Sequence, residues 1–279
     1  MENRKTWLIT GASQGIGLAT VKYLLSKDQQ VIATTRDAKK FDATLKNHPQ
    51  LEVIDLDLTN EDAVRNAVAY VAEKYGKIDL LINNAGFGFA GAIEEASEAE
   101  IQKVLAINVE AALRMTRCVL PFMRQARNGH IINFSSVAGL ASTPGFGIYN
   151  ASKYAVEGFS EALYYEVKDL GIKVTLIEPG AFRTNFLDNS LAVAQTTIAD
   201  YDATAGNFKN MLHANNGKQI GNPEKAAEYI FEISEMENPP LRLMLGEDAY
   251  NRVVAKLLDM QAEIERMKYM TLASGFSNN

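Results

Sequence analysis

Seven short apolar runs recur along this 279-residue chain, and they show little alternation between apolar and polar positions. They are TWLIT (6–10), QVIATT (30–35), LEVIDL (51–56), DLLIN (79–83), HIINFS (130–135), KVTLIE (173–178) and LRLML (241–245). A strand with one face in water alternates; a strand covered on both faces does not. Between the runs lie amphipathic stretches such as EDAVRNAVAYVAEKYG and EIQKVLAINVEAALRMTRCVLPFM, with apolar positions at helical spacing. The pattern predicts an α/β fold, a doubly wound parallel sheet of about seven strands with helices on both faces and right-handed crossovers. No fixed-period repeat and no linker rich in Pro and Gly divides the chain, so one domain is expected over 1–279. The rhythm breaks once, at 185–218, which is polar and weakly periodic. A long excursion there reads as a substrate lid, with a disordered surface insertion as the alternative. Residues 246–279 form a C-terminal extension containing a further helix.

Composition narrows the function classes. The formal net charge is −6 and no long basic run occurs, which argues against a nucleic-acid partner. No apolar run approaches the roughly 20 residues of a membrane-spanning helix. The N-terminus enters a strand almost at once, without a secretory pattern. The single cysteine, Cys118, cannot form an internal disulfide, so a reducing, cytoplasmic location is expected. His48, His130 and His213 lack metal-ligand spacing, and no metal is expected.

The first apolar run leads into Thr10-Gly11-Ala12-Ser13-Gln14-Gly15-Ile16-Gly17 and then a helical stretch. Glycines at a strand-to-helix turn let the backbone approach a pyrophosphate, and the helix N-terminus offers unpaired N–H groups with a positive dipole end. The second run ends at Arg36. Near this position an acidic residue suits a ribose 2′-hydroxyl and an arginine suits a 2′-phosphate, so NADP(H) is expected, with NAD(H) possible on the same fold. Lys39 and Lys40 could assist, whereas Asp37 and the neutral Gln14 weigh the other way. Arg36 could also be a solvated strand-end charge. Asp57-Leu58-Thr59 and Asn83-Asn84-Ala85-Gly86 follow the third and fourth runs, at strand ends where open α/β sheets bind ligands. Each could alternatively be turn chemistry. Finally, Tyr149 and Lys153 in YNASK lie four apart and so share one helix face.

Taken together, these segments resemble the classical short-chain dehydrogenases/reductases, a Rossmann-type family. The match rests on TGASQGIG (10–17), DLT (57–59), NNAG (83–86), Asn108 in INVEA, FSSVAG (134–139), YNASK (149–153) and PGAFRT (179–184), in order and at the expected separations. The resemblance implies an oxidoreductase acting on CH–OH groups. Tyr149 would be the general acid/base and Lys153 the cation that lowers its phenol toward neutrality, helped by an oxidised nicotinamide. A shift from about 10 to about 7 needs roughly 4 kcal/mol. Ser136 would orient the substrate carbonyl, and Asn108 would interrupt its helix to hold a water relay to the lysine. Gly11, Ser13, Gln14, Gly15, Ile16, Gly17, Arg36, Asp57, Leu58, Asn84, Ala85, Gly86, Tyr149, Lys153, Pro179, Gly180 and Thr184 would line the cofactor.

The expected pocket walls are Phe87, Phe89, Leu140, Phe146, Phe182 and Phe186, which suit a hydrophobic carbonyl or alcohol. PLRLMLGEDA (240–249) and the following helix are similar to the hydroxysteroid/retinol-dehydrogenase-like subgroup. A homodimer or homotetramer is expected from the family. The competing function is an NADP(H)-binding regulator or sensor on the same fold, which should have lost Ser136, Tyr149 or Lys153.

Overall fold

The computed structural model describes residues 4–276. Along the chain run β1 (Thr6–Ile9), α1 (Gly15–Ser26), β2 (Gln30–Thr35), β3 (Leu51–Asp55), α2 (Glu61–Tyr75), β4 (Leu80–Asn83) and β5 (Gly88–Ala90). Then come α3 (Glu98–Leu105), α4 (Ala111–Ala126), β6 (Gly129–Phe134), α5 (Gly147–Val167), β7 (Ile172–Pro179), α6 (Phe186–Asn189) and β8 (Leu191–Val193). The last elements are α7 (Asn207–Ala214), α8 (Pro223–Glu235), β9 (Arg242–Leu245) and α9 (Glu247–Leu272). Seven strands form one parallel sheet in the order β3-β2-β1-β4-β6-β7-β9, with the direction of strand order reversing between β1 and β4.

The missing alternation of the strand sequences follows from double burial. In β1, Trp7 and Ile9 face a cluster with Val21, Leu24, Ile230 and Ile233 from α1 and α8. Leu8 faces the other way, toward Val64, Val68, Met115, Val119 and Leu163 from α2, α4 and α5. Burying one such side chain contributes about 1.5–3 kcal/mol, so neither face tolerates a polar residue without a partner. Local signals set the helix limits. Asn60 accepts from the Ala63 N–H at 3.0 Å to start α2, and Gly76 ends it at φ 73°. Asn222 caps α8, with Pro223 in its first turn.

Two short strands lie outside the sequence reading. β5 and β8 pair in parallel, Gly88 to Leu191 through Ala90 to Val193, and so bind the 185–218 excursion to the body. That segment is not irregular throughout: it carries α6, β8, a 3₁₀ turn (Ala199–Tyr201), a π turn (Asp202–Gly206) and α7. Glu95, itself buried, accepts from the Ile198 N–H at 2.9 Å and lies 3.7 Å from Lys209. These hydrogen bonds hold its carboxyl below the usual carboxylate range, the one from Ile198 foremost. In the C-terminal extension, Ala249 and Val253 are the only buried residues of α9.

Candidate active site

The carboxyl ends of β1, β4, β6 and β7 open into one crevice where the strand order reverses, the usual ligand position in such sheets. The turn after β1 is built for close backbone approach. Gly11 (φ 63°) and Gly15 (φ 58°) occupy left-handed backbone. A Cβ on Gly11 would meet the Ala85 Cα at 2.7 Å. Thr10 Oγ1 accepts from the Asn84 and Ala85 N–H groups, each at 3.1 Å. The Asn84 amide in turn donates to the Thr10 carbonyl at 3.0 Å and the Gly11 carbonyl at 2.9 Å. Asn84 therefore pins the two loops together with its side chain. At the start of α1 no side chain caps the helix and no acidic residue lies in its first turn, so its N–H groups and dipole remain free for an anion. These features fit the pyrophosphate of a dinucleotide. Ile16 packs into the core beneath the turn. Gln14 donates to Ser190 Oγ at 2.7 Å, joining the glycine turn to the 185–218 segment, and Thr184 lies against Gly15.

At the adenine end, Arg36 is exposed just past β2 and forms no ion pair among the described residues. Asp57 Oδ1 accepts from Thr59 N at 2.9 Å and Thr59 Oγ1 at 2.7 Å. These turn bonds hold its carboxyl below the usual range. The Leu58 side chain is a core residue, and its carbonyl accepts from Arg114 at 2.6 Å.

The helix α3 passes into α4 through a π turn over Ala106–Glu110, and Asn108 stands inside it, buried. A π turn adds one residue to the helical ring and turns a side chain out of register. Asn108 Oδ1 accepts from Phe87 N at 3.0 Å. Its Nδ2 donates to Phe87 O at 2.9 Å and to Ser152 Oγ at 3.0 Å. The residue thus clamps the loop after β4 to α5, and its polar atoms are met locally.

Tyr149 and Lys153 lie one turn apart on α5 and are both buried. The ammonium stands 5.8 Å from the phenol ring centroid and donates to the Phe134 carbonyl at 2.8 Å. A Cβ on Gly86 would come within 3.6 Å of Lys153 Nζ, which sets the loop after β4 against the lysine. Ser136 follows β6; its hydroxyl accepts from Ala138 N at 3.1 Å and donates to the Pro179 carbonyl at 3.4 Å, and it stands near enough to the Tyr149 phenol to favour its ionised form. Ser135 is turned away, buried on the Glu157 side. The electrostatics differ from the expectation of a phenol near neutrality. Burial pushes Tyr149 up to about 12, against the pull of the nearby Ser136 hydroxyl. Burial also brings Lys153 down to about 8, against the field of Glu157. Removal of water thus outweighs the influence of Ser136 on the phenol and of Glu157 on the ammonium in the protein chain itself.

The aromatic residues divide into two sets. Phe146 and Phe186 lie 5.1 Å and 6.2 Å from the Tyr149 ring, centroid to centroid. Phe208, from α7, packs edge-on against Phe146 at 4.6 Å; no local pattern in the sequence singles it out. Phe87 is held to Asn108 through its backbone, and its ring packs against the cluster of Phe89, Val104 and Ala194. Phe89 is fully buried against Val104 and Ala194 and belongs to the core. Phe182 packs with the α1/α8 cluster against Gly221, and Leu140 packs under α9 with Val137 and Val253. These three are not crevice walls, because their neighbours fill the space on the apolar side. The turn at Pro179-Gly180 is braced by Asp248 of α9, which accepts from Ala181 N at 2.8 Å and fills the space a Gly180 side chain would need. Cys118 stands apart, half-buried beside α2, with its thiol pushed up by burial.

Comparison with known proteins agrees with this geometry. The family model for short chain dehydrogenase matches residues 5–194. Oxidoreductase BOA17 of Botryotinia fuckeliana is 35% identical over 272 residues, covering 97% of this chain and 99% of that protein. The 3-ketodihydrosphingosine reductase of Bacteroides thetaiotaomicron is 38% identical over 240 residues (86% and 87%), and human retinol dehydrogenase 8 is 34% identical over 254 residues (85% and 80%). Among solved structures, a short-chain dehydrogenase from Streptomyces avermitilis has a TM-score of 0.91 at 35% identity, covering 97% of this chain and 100% of that one. A short-chain dehydrogenase/reductase from Burkholderia phymatum in complex with NAD has a TM-score of 0.81 at 26% identity, covering 94% and 95%. The chain belongs to the short-chain dehydrogenase family, oxidoreductases acting on CH–OH groups.

Proposed function

We propose that this protein is an NADP(H)-dependent oxidoreductase that interconverts a carbonyl and a primary or secondary alcohol on a hydrophobic small molecule. The observation that carries the reading is the buried Tyr149 phenol, near the Ser136 hydroxyl, one turn from a buried ammonium and flanked by Phe146 and Phe186. A bound nicotinamide dinucleotide supplies the hydride acceptor or donor. The glycine turn and the uncapped start of α1 would hold its pyrophosphate, Pro179, Gly180 and Thr184 its nicotinamide end, and Arg36 its 2′-phosphate.

In the reductive direction Ser136 donates a hydrogen bond to the carbonyl oxygen as negative charge grows there. Tyr149, held protonated by burial, gives that oxygen its proton. Lys153 then faces a phenolate and stabilises it. The aromatic wall keeps water from the reacting carbon and favours an apolar substrate body. The names of two relatives, a ketosphingoid reductase and a retinol dehydrogenase, support a lipid-like carbonyl or alcohol.

The test is a panel of carbonyls and alcohols with both dinucleotides, read by absorbance of the reduced nicotinamide. Tyr149→Phe is expected to lower kcat by about 10²–10⁴-fold with NADP(H) affinity retained. Retained turnover would refute the role of the phenol. Absence of turnover on every compound, with tight NADP(H) binding, would favour the sensor.

A further inference from the structure

The strands β7 and β9 end side by side, and a glycine follows each at once, Gly180 and Gly246. Their ladder closes with the Gly180 N–H on the Leu245 carbonyl at 2.8 Å. The Asp248 carboxyl stands between the two glycines. A Cβ on Gly180 would collide with both of its oxygens, and one on Gly246 would come within 2.6 Å of Oδ1. Gly246 has φ 109°, so its backbone calls for glycine in any case. Gly180 does not lie in left-handed backbone. Within the chain, it is therefore the Asp248 carboxyl that keeps a side chain away from Gly180.

The two oxygens of that carboxyl differ. Oδ2 accepts from the Ala181 N–H at 2.8 Å. Oδ1 is buried against the glycines and has no hydrogen-bond partner among the described residues. Leaving such an oxygen dry costs stability, and an apolar side chain would fill the same slot without that cost. What an acid adds is a strong acceptor for one backbone N–H just past the end of the ladder. The acceptor is also fixed from behind. Ala249 and Val253, the neighbours of Asp248 on α9, pack with Val137 and Ala141. Arg252 donates to the Ala141 carbonyl at 2.8 Å and to Thr143 Oγ1 at 2.6 Å. On its other side the turn is tied to Gly221, which donates to the Ala181 carbonyl and accepts from the Arg183 N–H, each at 2.9 Å. Asp248 thus completes a clamp on residues 180–183 that no neighbour in sequence supplies.

On the reading that puts the nicotinamide at Pro179, Gly180 and Thr184, we propose that Asp248 is a positioning residue for the nicotinamide end of the cofactor. By holding the Ala181 N–H it keeps the turn in the form the ring meets, so binding does not have to order the turn. Ordering a loose segment on binding lowers affinity. That cost would fall on one end of the dinucleotide. The pyrophosphate and adenine ends are assigned to the loops after β1 and β2, and β4 and β6 separate those strands from β7 in the sheet.

The test compares each reduced dinucleotide with its fragment lacking nicotinamide: NADPH with 2′-phospho-ADP-ribose, and NADH with ADP-ribose. Dihydronicotinamide fluorescence reads the first of each pair, and competition reads the fragment. The fragment carries the same phosphates, so the long-range field of a charge lost at position 248 cancels in the comparison. Asp248→Ala is expected to weaken binding of the preferred dinucleotide by about tenfold and that of its fragment by less than about twofold. Asp248→Asn keeps an acceptor for the Ala181 N–H and should stay within about threefold of wild type. The methyl of Gly180→Ala points at the carboxyl, so this change should cost about as much as Asp248→Ala, and the two combined little more than either alone. Dinucleotide binding untouched by Asp248→Ala would overturn the proposal. So would a fragment weakened as much as the dinucleotide, an Asp248→Asn variant as poor as Asp248→Ala, or losses that add in the double variant. A wild-type chain that binds the fragment as tightly as the dinucleotide would instead remove the nicotinamide from this turn, and the role of Asp248 would fall with it.

Discussion

Replacing Glu178 by glutamine would change the charge chemistry of one buried group and almost nothing of its shape. Glu178 stands on β7 directly before Pro179-Gly180 and has no exposed surface. Neither of its carboxylate oxygens has a hydrogen-bond partner. The nearest cation, Arg242, lies 3.5 Å away and is shared: its Nε donates to Glu157 at 3.1 Å and another nitrogen to Glu161 at 2.7 Å. Burial first, and the neighbouring charge of Glu157 second, raise the Glu178 carboxyl from 4.5 to about 8. The unfolded chain therefore releases this proton near 4.5, while the folded protein keeps it until about 8. Between those values the folded state binds more protons, so stability falls as pH rises. At about 1.36 kcal/mol per pH unit, the loss reaches about 3 kcal/mol near neutrality. The amide of Glu178→Gln cannot ionise, and its imperfect hydrogen bonding costs about 1 kcal/mol. The variant is thus expected to be about 2 kcal/mol more stable than wild type near pH 7, with the advantage vanishing at about pH 5 and slightly reversed below it. Denaturant unfolding across that range, at fixed m-value, reads the difference directly. A variant whose stability runs parallel to wild type at every pH would refute the claim that Glu178 holds a proton in the fold.

Arg36→Asp is expected to move cofactor preference from NADP(H) toward NAD(H) by about 10–100-fold in the ratio of kcat/KM values, the worth of charge-assisted bonds to a phosphate. An unmoved ratio would place the selectivity elsewhere. Phe208→Ala removes the edge-on partner of Phe146 and should raise KM for an apolar substrate by about 3–10-fold with kcat little changed. A fall in kcat at constant KM would instead tie α7 to the chemical step.

What the sequence made legible was whatever a few adjacent residues decide. The seven sheet strands could be located because burial on both faces removes alternation, as Trp7, Leu8 and Ile9 show by facing opposite clusters. The glycine turn was legible because left-handed backbone at Gly11 and Gly15 admits few other residues. What stayed hidden depends on partners far along the chain. β5 and β8 are three residues each, too short to show a period, and hold only because they pair across about a hundred residues. Glu95, Phe208 and Asp248 look unremarkable locally; their roles come from Ile198, Phe146 and Ala181. The aromatic walls show the same limit, since Phe89 and Phe186 read alike until β8 and α6 decide which one the core covers.

The phenol of Tyr149 marks where this reasoning turns quantitative. Spacing placed Tyr149 and Lys153 on one face of α5, and they share it. Spacing carries no information on how much water the fold removes, and that term sets the protonation state. With the phenol raised to about 12 and the ammonium lowered to about 8, both groups favour their neutral forms more than they would in water. The protein chain therefore keeps the Tyr149 phenol protonated throughout the neutral range, the form in which it would give a proton in the proposed carbonyl reduction. Alcohol oxidation needs the phenolate, so it requires added positive charge in the cleft to offset the desolvation that the fold itself imposes.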